Sequence, residues 1–459
     1  MKTEVTDKKE ETPLFTGKQL MALIVPLMLE QILGITVGMA DSVMVSVAGE
    51  AAVSGVSLVD SINILMINVF GSLATGGAVI AAHRLGEKRE EAAGHTADQL
   101  LVLVTGIAAA VMLAALALNR WLLKVCFGNV EEAVMKNAVI YFYITALSFP
   151  FLAVYNVSAA LSRAMGDSKT TMKVSLFTNL INIMGNAVMI VWFHMGVYGV
   201  ALSTLLSRVV ASVIMLLIMR KEERPLHYSR RVCCRPDKKV VREVLRIGVP
   251  NGVDSCIFQI GKILVQSLVA DLGTAAIAAN AIVGTVAGFA VIPASSMGTA
   301  MITVVGQTLG AGSIRQAKGY VRKIMGYSYL FMALLNIVII LLARQIAGIY
   351  KVSGEAIELA AAVIVIHSVF AMLFWPTGFS LPNALRAAMD VRYTMTVSVA
   401  SMWICRLGCS WLFTMVFHMG LYGIWIAMGV DWIVRSIFFG MRIKNGKWLH
   451  EACGKEQRV

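Results

Sequence analysis

The chain has 459 residues, of which 58% are hydrophobic and 15% charged, and its mean hydropathy is +0.75. Soluble domains are typically about 45–50% apolar and 25% charged, so the composition excludes an ordinary soluble protein. The formal net charge is +13, but no basic stretch with interleaved aromatic residues is present, so we expect no nucleic-acid partner. Seven cysteines without a CxxC pair or a His/Cys cluster predict neither a disulfide framework nor a structural metal site. We expect no cofactor.

Twelve apolar stretches of bilayer-spanning length follow a polar segment, residues 1–19. They cover residues 20–45, 53–80, 97–118, 134–161, 172–193, 197–219, 244–270, 275–303, 320–343, 355–385, 391–415 and 421–440. None shows the alternation of polar and apolar residues that is typical of a membrane β-barrel. The first stretch is too long for a cleavable signal peptide. The pattern predicts an all-α integral membrane protein with twelve transmembrane helices in contact with the lipid bilayer.

Two similar heptads reveal an internal repeat. FHMGVYG covers Phe193–Gly199, and FHMGLYG covers Phe417–Gly423, 224 positions later. The same shift relates Pro26 to Pro250, Glu30 to Asp254, Gly49 to Gly273 and Thr75 to Thr299. We interpret the chain as a tandem duplication with six spans in each copy. An even number of spans makes the repeat parallel, an arrangement in which transporters bind substrate between the two halves. The heptad itself is interpreted as a duplicated turn, although a pH-sensing role of His194 and His418 is the alternative.

The distribution of basic residues predicts the orientation in the membrane. Connections on the N-terminal side, counted together with the adjoining ends of the spans, hold 32 lysines and arginines, and those on the other side hold five. This asymmetry predicts that both termini are cytoplasmic in a multi-pass protein of the inner (plasma) membrane. The predicted organisation is a cytoplasmic tail (1–19), an N-terminal six-helix lobe (20–219), a basic cytoplasmic linker (220–243), a C-terminal six-helix lobe (244–440) and a cytoplasmic tail (441–459).

Ionisable residues within membrane spans are costly and often functional. Here they are Glu30, Asp41, Asp60, Arg208, Asp254, Lys262, Arg406, Asp431 and Arg435. Asp431 and Arg435 are four residues apart, which predicts an ion pair on one helix face. Arg208 and Arg406 are interpreted as snorkelling or bracing residues, with a functional role as the alternative.

Several further side chains are candidates for lining a substrate cavity: Glu30, Asp60, Asn156, Gln259 and Lys262. Glu30 lies deep enough to reach a cavity. Asp60 either lines the outer mouth of that cavity or is solvated at headgroup level. Lys262 shares a helix face with Gln259 and is expected to face the cavity or a carboxylate, whereas Asp254 is expected to be solvated near a helix end.

Asp41 is the sharpest candidate for a functional site. On the fifth span, Asn182 and Asn186 follow one helix face, and Thr204 lies at a similar depth on the sixth. At about 1.5 Å per residue, Asp41, Asn186 and Thr204 lie roughly 7–12 Å below the outer surface. A carboxylate, amide carbonyls and a hydroxyl can hold a small cation such as Na⁺, or a proton on the carboxyl. A polar cluster that joins helices is the structural alternative.

These residues and several loop motifs resemble the multidrug and toxic compound extrusion (MATE) family over about residues 15–445. The motifs are VGQTLGAG (Val305–Gly312), LGTAAIAAN, LSRAMGDSK and LRAAMD. The resemblance implies a V-shaped pair of six-helix lobes that exports organic cations in exchange for H⁺ or Na⁺. It assigns the ion site to Asp41, Asn182, Asn186 and Thr204.

The sequence departs from the family pattern at Asn186, where an amide replaces a second acid. It also has no acid in Cys256–Gln259 or Phe374–Gly378, which makes it more similar to the DinF-like branch than to the NorM-like branch. The favoured function is therefore cation-coupled export of small amphipathic cations by a monomer. The alternatives are a flippase or exporter of lipid-linked intermediates, and a membrane enzyme, for which no catalytic cluster is found.

Overall fold

The computed structural model describes residues 13–47, 49–128, 130–229, 235–350 and 352–449. Within these ranges the secondary structure is helical, with no β-strand. The first lobe consists of α1 (Gly17–Ser46), α2 (Glu50–Gly86), α3 (Glu90–Phe127), α4 (Glu132–Leu147), α5 (Phe149–Ala164), α6 (Ser168–Ala187) with a π-helical turn (Val188–Trp192), and α7 (Gly196–Met219). The all-α fold predicted from the sequence is confirmed.

The second lobe repeats this order of helices. It consists of α8 (Lys238–Ala270), α9 (Thr274–Ala290), α10 (Ile292–Gly310), α11 (Ile314–Leu341), α12 (Ala343–Ile349), α13 (Gly354–Trp375), a π-helical turn (Pro376–Ser380), α14 (Pro382–Ala387), α15 (Val391–Ser401), a π-helical segment (Met402–Gly408), α16 (Cys409–Trp411), a π-helical turn (Leu412–Val416) and α17 (Gly420–Lys444).

Among the described residues, ten helical segments are long and apolar enough to cross a membrane, and two bent helix pairs raise the number to twelve. The sequence predicted each pair as one continuous span. Instead, α4 and α5 meet at 49°, and α9 and α10 meet at 44°. Pro150 and Pro293 stand in the first turn of α5 and α10. Because proline has no backbone N–H to donate, it interrupts the hydrogen bonds that would keep each pair straight.

The repeated heptads form the same turn in both lobes. His194 and His418 each have φ of 51°, and Gly196 and Gly420 have φ of 54° and 56°. These left-handed conformations reverse the chain between the fifth and sixth spans of each lobe, and glycine adopts them without steric cost. The structure thus agrees with the interpretation of the heptad as a duplicated turn.

The first helix of each lobe begins against the other lobe. In α1, Leu20 and Ile24 pack with Met301 and Val304 of α10, and in α8, Val244 belongs to the hydrophobic core of the first lobe. The C-terminal half of α1 packs on α6, within its own lobe. Each of these two helices therefore joins the contact between the lobes to the interior of one lobe.

The two lobes meet on the side of the molecule that carries residues 220–229 and 235–237, here called the linker side. Backbone carbonyls of the first lobe accept hydrogen bonds there, Arg163 from Thr303 at 2.8 Å and Ala164 from Gln307 at 2.5 Å. Two glycines 224 positions apart, Gly86 and Gly310, pack directly on the backbone of the opposite lobe. These contacts close the molecule on the linker side and follow its internal symmetry.

Candidate functional site

A cavity of about 350 Å³ lies inside the first lobe, between α1, α2, α6 and α7; we call it the first-lobe cavity. Its polar lining residues are Ser57, Asp41, Asp60, Tyr141, Tyr155, Ser175, Thr178, Asn179, Asn182, Thr204, Ser207 and Arg208. Asp41 and Asp60, two of the acids within the predicted spans, therefore line the same cavity.

Asp41 is the centre of a hydrogen-bonded cluster that joins α1 to α6. The amide nitrogen of Asn186 donates to Oδ1 of Asp41 at 2.8 Å. The amide of Asn182, oriented with its nitrogen toward the carboxylate, donates to Oδ1 at 3.0 Å and to Oδ2 at 3.3 Å. Asn186 is fully buried and Asn182 is 7% exposed. The cluster thus holds a carboxylate between two buried amides.

Small residues leave space beside α1 and allow α6 and α7 to pack closely. Gly34 and Gly38 leave room beside α1, because a Cβ at either position would meet no atom of another helix within 4 Å. On α6, Gly185 packs directly on Ser203 of α7, and the Ser203 hydroxyl donates to the carbonyl oxygen of Asn182 at 2.8 Å. This close approach of α6 and α7 puts the neighbouring Thr204 into the cavity wall.

The donor set suits a small cation or a proton. Among the described residues, the buried Oδ1 atom of Asn186 has no hydrogen-bond partner. The Thr204 hydroxyl donates to the carbonyl of Val200 at 2.9 Å, which leaves its oxygen lone pairs available to the cavity. Carboxylate, amide and hydroxyl oxygens are ligands that hard cations prefer, and the carboxylate of Asp41 can instead take up a proton.

Asp60 lines the same cavity. Its Oδ1 accepts hydrogen bonds from Asn63 at 3.3 Å and from Tyr141 at 3.2 Å. Arg208 lines the cavity as well and donates to the Ser148 hydroxyl at 2.7 Å. The positive charge of Arg208 offsets one of the two carboxylates, so the cavity carries one excess negative charge when both acids are ionised.

A second cavity, of about 380 Å³, lies between α2 and the second lobe; we call it the second-lobe cavity. It is lined by Ile64, Asn68, Asp254, Ser255, Phe258, Gln259, Lys262, Gly378, Phe379, Pro382, Arg386, Ser398 and Arg435. Gln259 and Lys262 therefore line this cavity, and their contact with a substrate stays a prediction.

Two acids have surroundings that differ from those expected. Glu30 accepts hydrogen bonds from Arg163 at 2.8 Å and from Thr171 at 3.2 Å, so its carboxylate joins helices and is not a lining group of the first-lobe cavity. Asp254 is not solvated: it is 9% exposed and pairs with Arg386 at 2.8 Å. The shift of 224 that relates Glu30 to Asp254 thus relates two ion pairs of the same kind.

Among the remaining candidates, one prediction from the sequence matches the structure and another does not. Asp431 and Arg435 form the predicted ion pair, at 2.8 Å. Asn156 is half-buried and is not among the residues that line either cavity, and its Nδ2 has no hydrogen-bond partner among the described residues.

Sequence reasoning missed the contribution of Tyr141 to the first-lobe cavity, since a tyrosine within a span carries no distinguishing signal. It also missed Arg386, although the matching of Glu30 with Asp254 could have indicated a basic partner for both.

Comparison with known sequences gives one family and several full-length relatives. The MatE family profile matches residues 26–188 and 250–412, two segments whose ends are again 224 positions apart. The "Probable multidrug resistance protein NorM" of Thermotoga maritima is 28% identical and covers 98% of this chain and 97% of its own length. The "Uncharacterized transporter YisQ" of Bacillus subtilis is 26% identical over 94% of this chain and 95% of its own length.

Solved structures share the fold along nearly the whole chain. A "MATE in complex with MaL6" superposes with a TM-score of 0.87 at 20% identity, covering 94% of this chain and 97% of its own. A "MOP superfamily transporter from Pyrococcus furiosus" superposes with a TM-score of 0.86 at 21% identity, covering 94% and 96%. The family profile covers most of the chain, in both copies of the repeat. The chain belongs to the MATE family of multidrug efflux transporters.

Proposed function

We propose that the protein is an antiporter that exports small amphipathic organic cations and drugs across the plasma membrane in exchange for H⁺ or Na⁺. The observation that carries the proposal is the cluster of Asp41, Asn182 and Asn186: Asp41 and Asn182 line the first-lobe cavity, and the buried Asn186 donates a hydrogen bond to Asp41. The names of relatives such as NorM of Thermotoga maritima, a "Probable multidrug resistance protein", support the class of cargo.

We assign the coupling ion to Asp41, Asn182, Asn186 and Thr204. Arg208 offsets Asp60, so one further positive charge, a proton or a sodium ion, neutralises the first-lobe cavity. We therefore expect one coupling charge for each transport cycle. The C-terminal half of α1 carries Asp41, and its other half packs on α10 of the second lobe. Binding of the ion at Asp41 can thus bias the contact between the lobes, as alternating access requires.

The test is ethidium efflux from membrane vesicles with proton and sodium gradients imposed separately. One gradient alone should drive efflux against the ethidium gradient, and its collapse by an ionophore should stop it. If neither gradient drives efflux in vesicles that contain the protein, the antiport proposal is wrong.

We also propose that the linker side faces the cytoplasm, so that both termini are inside, and that the monomer is the working unit, with lobes at 20–219 and 244–440 joined by residues 220–243. Cys233 and Cys234, the natural probes of the linker, lie outside the described residues. They should react with an impermeant maleimide only in opened cells, whereas a cysteine introduced by Ser353→Cys should react in intact cells. The reverse labelling pattern would contradict this orientation.

The second candidate function is a flippase or exporter of lipid-linked or other amphipathic intermediates. A pyrophosphate headgroup needs a basic cavity, and Lys262 in the second-lobe cavity is the observation that favours this alternative. The two acids of the first-lobe cavity make binding of a pyrophosphate headgroup there unfavourable.

We further propose membership of the DinF-like branch, because Cys256–Gln259 and Phe374–Gly378 contain no acid, although relatives with the name NorM match the chain over most of its length.

A further inference from the structure

The second-lobe cavity contains a lysine that no carboxylate neutralises. Lys262 lines this cavity, and none of the ion pairs among the described residues includes it. The two arginines of the same cavity are paired: Arg386 contacts Asp254 at 2.8 Å, and Arg435 contacts Asp431 at 2.8 Å. The positive charge at Lys262 is therefore the one that remains available to a ligand.

A second cation without an acidic partner lies next to this cavity. The guanidinium carbon of Arg406 is 5.5 Å from the centre of the Phe258 ring, and its Nη2 donates to the sulfur of Met428 at 2.9 Å. Among the described residues its Nε has no hydrogen-bond partner, and the guanidinium forms no ion pair. Two such cations in a medium of low dielectric constant create a positive potential that favours an anion.

The position of Lys262 makes a lipid-facing role implausible. It lies eight residues before the end of α8 at Ala270, about 12 Å along the helix at 1.5 Å per residue. Ile64 and Asn68 of α2 line the same cavity, so the ammonium faces the space between the lobes. An ammonium within a membrane-spanning helix is costly without a counter-charge, and a bound acid would supply one.

Two phenylalanines, Phe258 and Phe379, form an aromatic part of the cavity wall. The Phe258 and Phe379 rings are 6.1 Å apart in an edge-to-face arrangement, and Trp375 stacks on Phe379 at 5.0 Å. The Arg435 guanidinium lies 5.0 Å from the centre of the Phe379 ring. A flat apolar ligand can pack on this wall, and the volume of about 380 Å³ is in the range of small-molecule sites.

We propose that the second-lobe cavity binds the acidic group of an amphipathic substrate. The carboxylate of the substrate accepts hydrogen bonds from the Lys262 ammonium and from the Gln259 amide one helical turn away, and its flat apolar part packs on Phe258 and Phe379. The transported class therefore includes amphipathic aromatic acids. This inference rests on the proposed export function for the direction of transport, whereas the binding step needs no ion gradient.

The experiment compares two probes of the same shape with the purified full-length protein. Binding of 1-naphthylacetate and of its neutral analogue 1-naphthylacetamide is measured by scintillation proximity, without any gradient. The wild type should prefer the acid. Lys262→Met should weaken binding of the acid about tenfold or more, the loss expected for one charge-assisted hydrogen bond, and leave binding of the amide within about twofold. Lys262→Arg should restore the preference for the acid.

Lys136→Met, an equal change of charge on α4 outside the cavity, is the matched control and should behave as the wild type. Retained binding of the amide verifies that the Lys262→Met protein is folded. A wild type without preference for the acid overturns the proposal, and so does a Lys262→Met variant that retains the preference. Loss of both probes in Lys262→Met together with no recovery in Lys262→Arg also counts against it. None of these results depends on the efflux assay, so a failure here is distinct from a failure of the antiport proposal.

Discussion

The first helices of the two lobes occupy equivalent places but present opposite surroundings to their cavities. Gly34 and Gly38 on α1 leave space beside Asp41, and the residues 224 positions later on α8 are Phe258 and Lys262. The equivalent of Asp41 is Val265. Where the first lobe has space and an acid, the second has an aromatic ring, an ammonium and an apolar side chain.

The sixth spans of the two lobes also differ in the charge and size of their side chains. Ser207 and Ala211 of α7 line the first-lobe cavity, whereas the equivalent residues on α17 are Asp431 and Arg435, which form a buried ion pair. An ion pair in the second lobe thus occupies positions at which the first lobe has small side chains beside its cavity. Duplication preserved the course of the backbone while the side chains diverged in charge, so we expect ion coupling in the first lobe and substrate recognition in the second.

The largest effect should come from removal of the charge at Asp41. Asp41→Asn keeps the size of the side chain and its hydrogen-bonding capacity but cannot take up a proton or neutralise a sodium ion. We expect gradient-driven ethidium efflux to be abolished while the protein still inserts into the membrane. Efflux against an imposed gradient is measured with the amount of membrane-inserted protein determined in parallel.

The control for this change is the equivalent position of the other lobe. Val265→Thr places a hydroxyl at that position without a large change of volume and should leave gradient-driven efflux intact. Normal coupled efflux by Asp41→Asn would refute the assignment of coupling to the first lobe. Loss of ion dependence in Val265→Thr would transfer coupling to the second.

The second prediction concerns the ion pair that distinguishes the second lobe. The side chains of Asp431 and Arg435 are 0% and 4% exposed. Because Asp431→Ala leaves a buried guanidinium without its partner, we expect a loss of about 3–5 kcal/mol in the free energy of unfolding. Glu358→Ala is the control: it removes the acid from the exposed pair with Arg344, whose side chains are 76% and 61% exposed, and should cost less than about 1 kcal/mol. Denaturant midpoints in mixed micelles provide the comparison, and equal losses in both variants contradict it.

Much of the fold and part of the site could be predicted from the sequence, for physical reasons. Apolar runs of bilayer length predict helices because the lipid interior satisfies no backbone polar group. The similar depth of Asp41, Asn186 and Thr204 along their spans predicts that these three side chains lie close together. The bends at Pro150 and Pro293 were missed because proline also occurs in continuous membrane helices.

Pairings between distant helices could not be predicted in the same way. The ion pair of Glu30 with Arg163 joins α1 to α5, and that of Asp254 with Arg386 joins α8 to α14. Each depends on how the helices are rotated and staggered in the packed lobe, and one sequence does not contain that information in a local pattern. Depth along a span is readable from the sequence, whereas the direction of a side chain around the helix axis needs the packed structure.

The third prediction tests whether the lobes remain symmetric where they meet. Gly86 and Gly310 each lie against the backbone of the opposite lobe, without room for a Cβ. Gly86→Ala and Gly310→Ala should each destabilise the closed linker side by about 1–3 kcal/mol, the usual cost of overpacking. In a background without native cysteines, Thr303→Cys should then react faster with maleimide in inside-out vesicles. Gly319→Ala, at an open position on α11, should have no such effect, and unequal responses of the first two variants would show that the symmetry is broken at this contact.

The smallest effect should come from Gln259, which separates substrate recognition from ion coupling. Its amide lies in the second-lobe cavity one turn from Lys262 and has no place in the cluster around Asp41. Gln259→Ala removes a neutral hydrogen-bonding group, typically a change of about 0.5–1.5 kcal/mol, so the affinity for substrate should change by about two- to tenfold. The dependence of efflux on the driving gradient should remain that of the wild type, because the charge of the first-lobe cavity is unaltered. Efflux rates are measured over a range of substrate concentrations at several gradient strengths. A changed ion dependence in Gln259→Ala would mean that the second lobe takes part in coupling, and the division of roles between the lobes would then have to be abandoned.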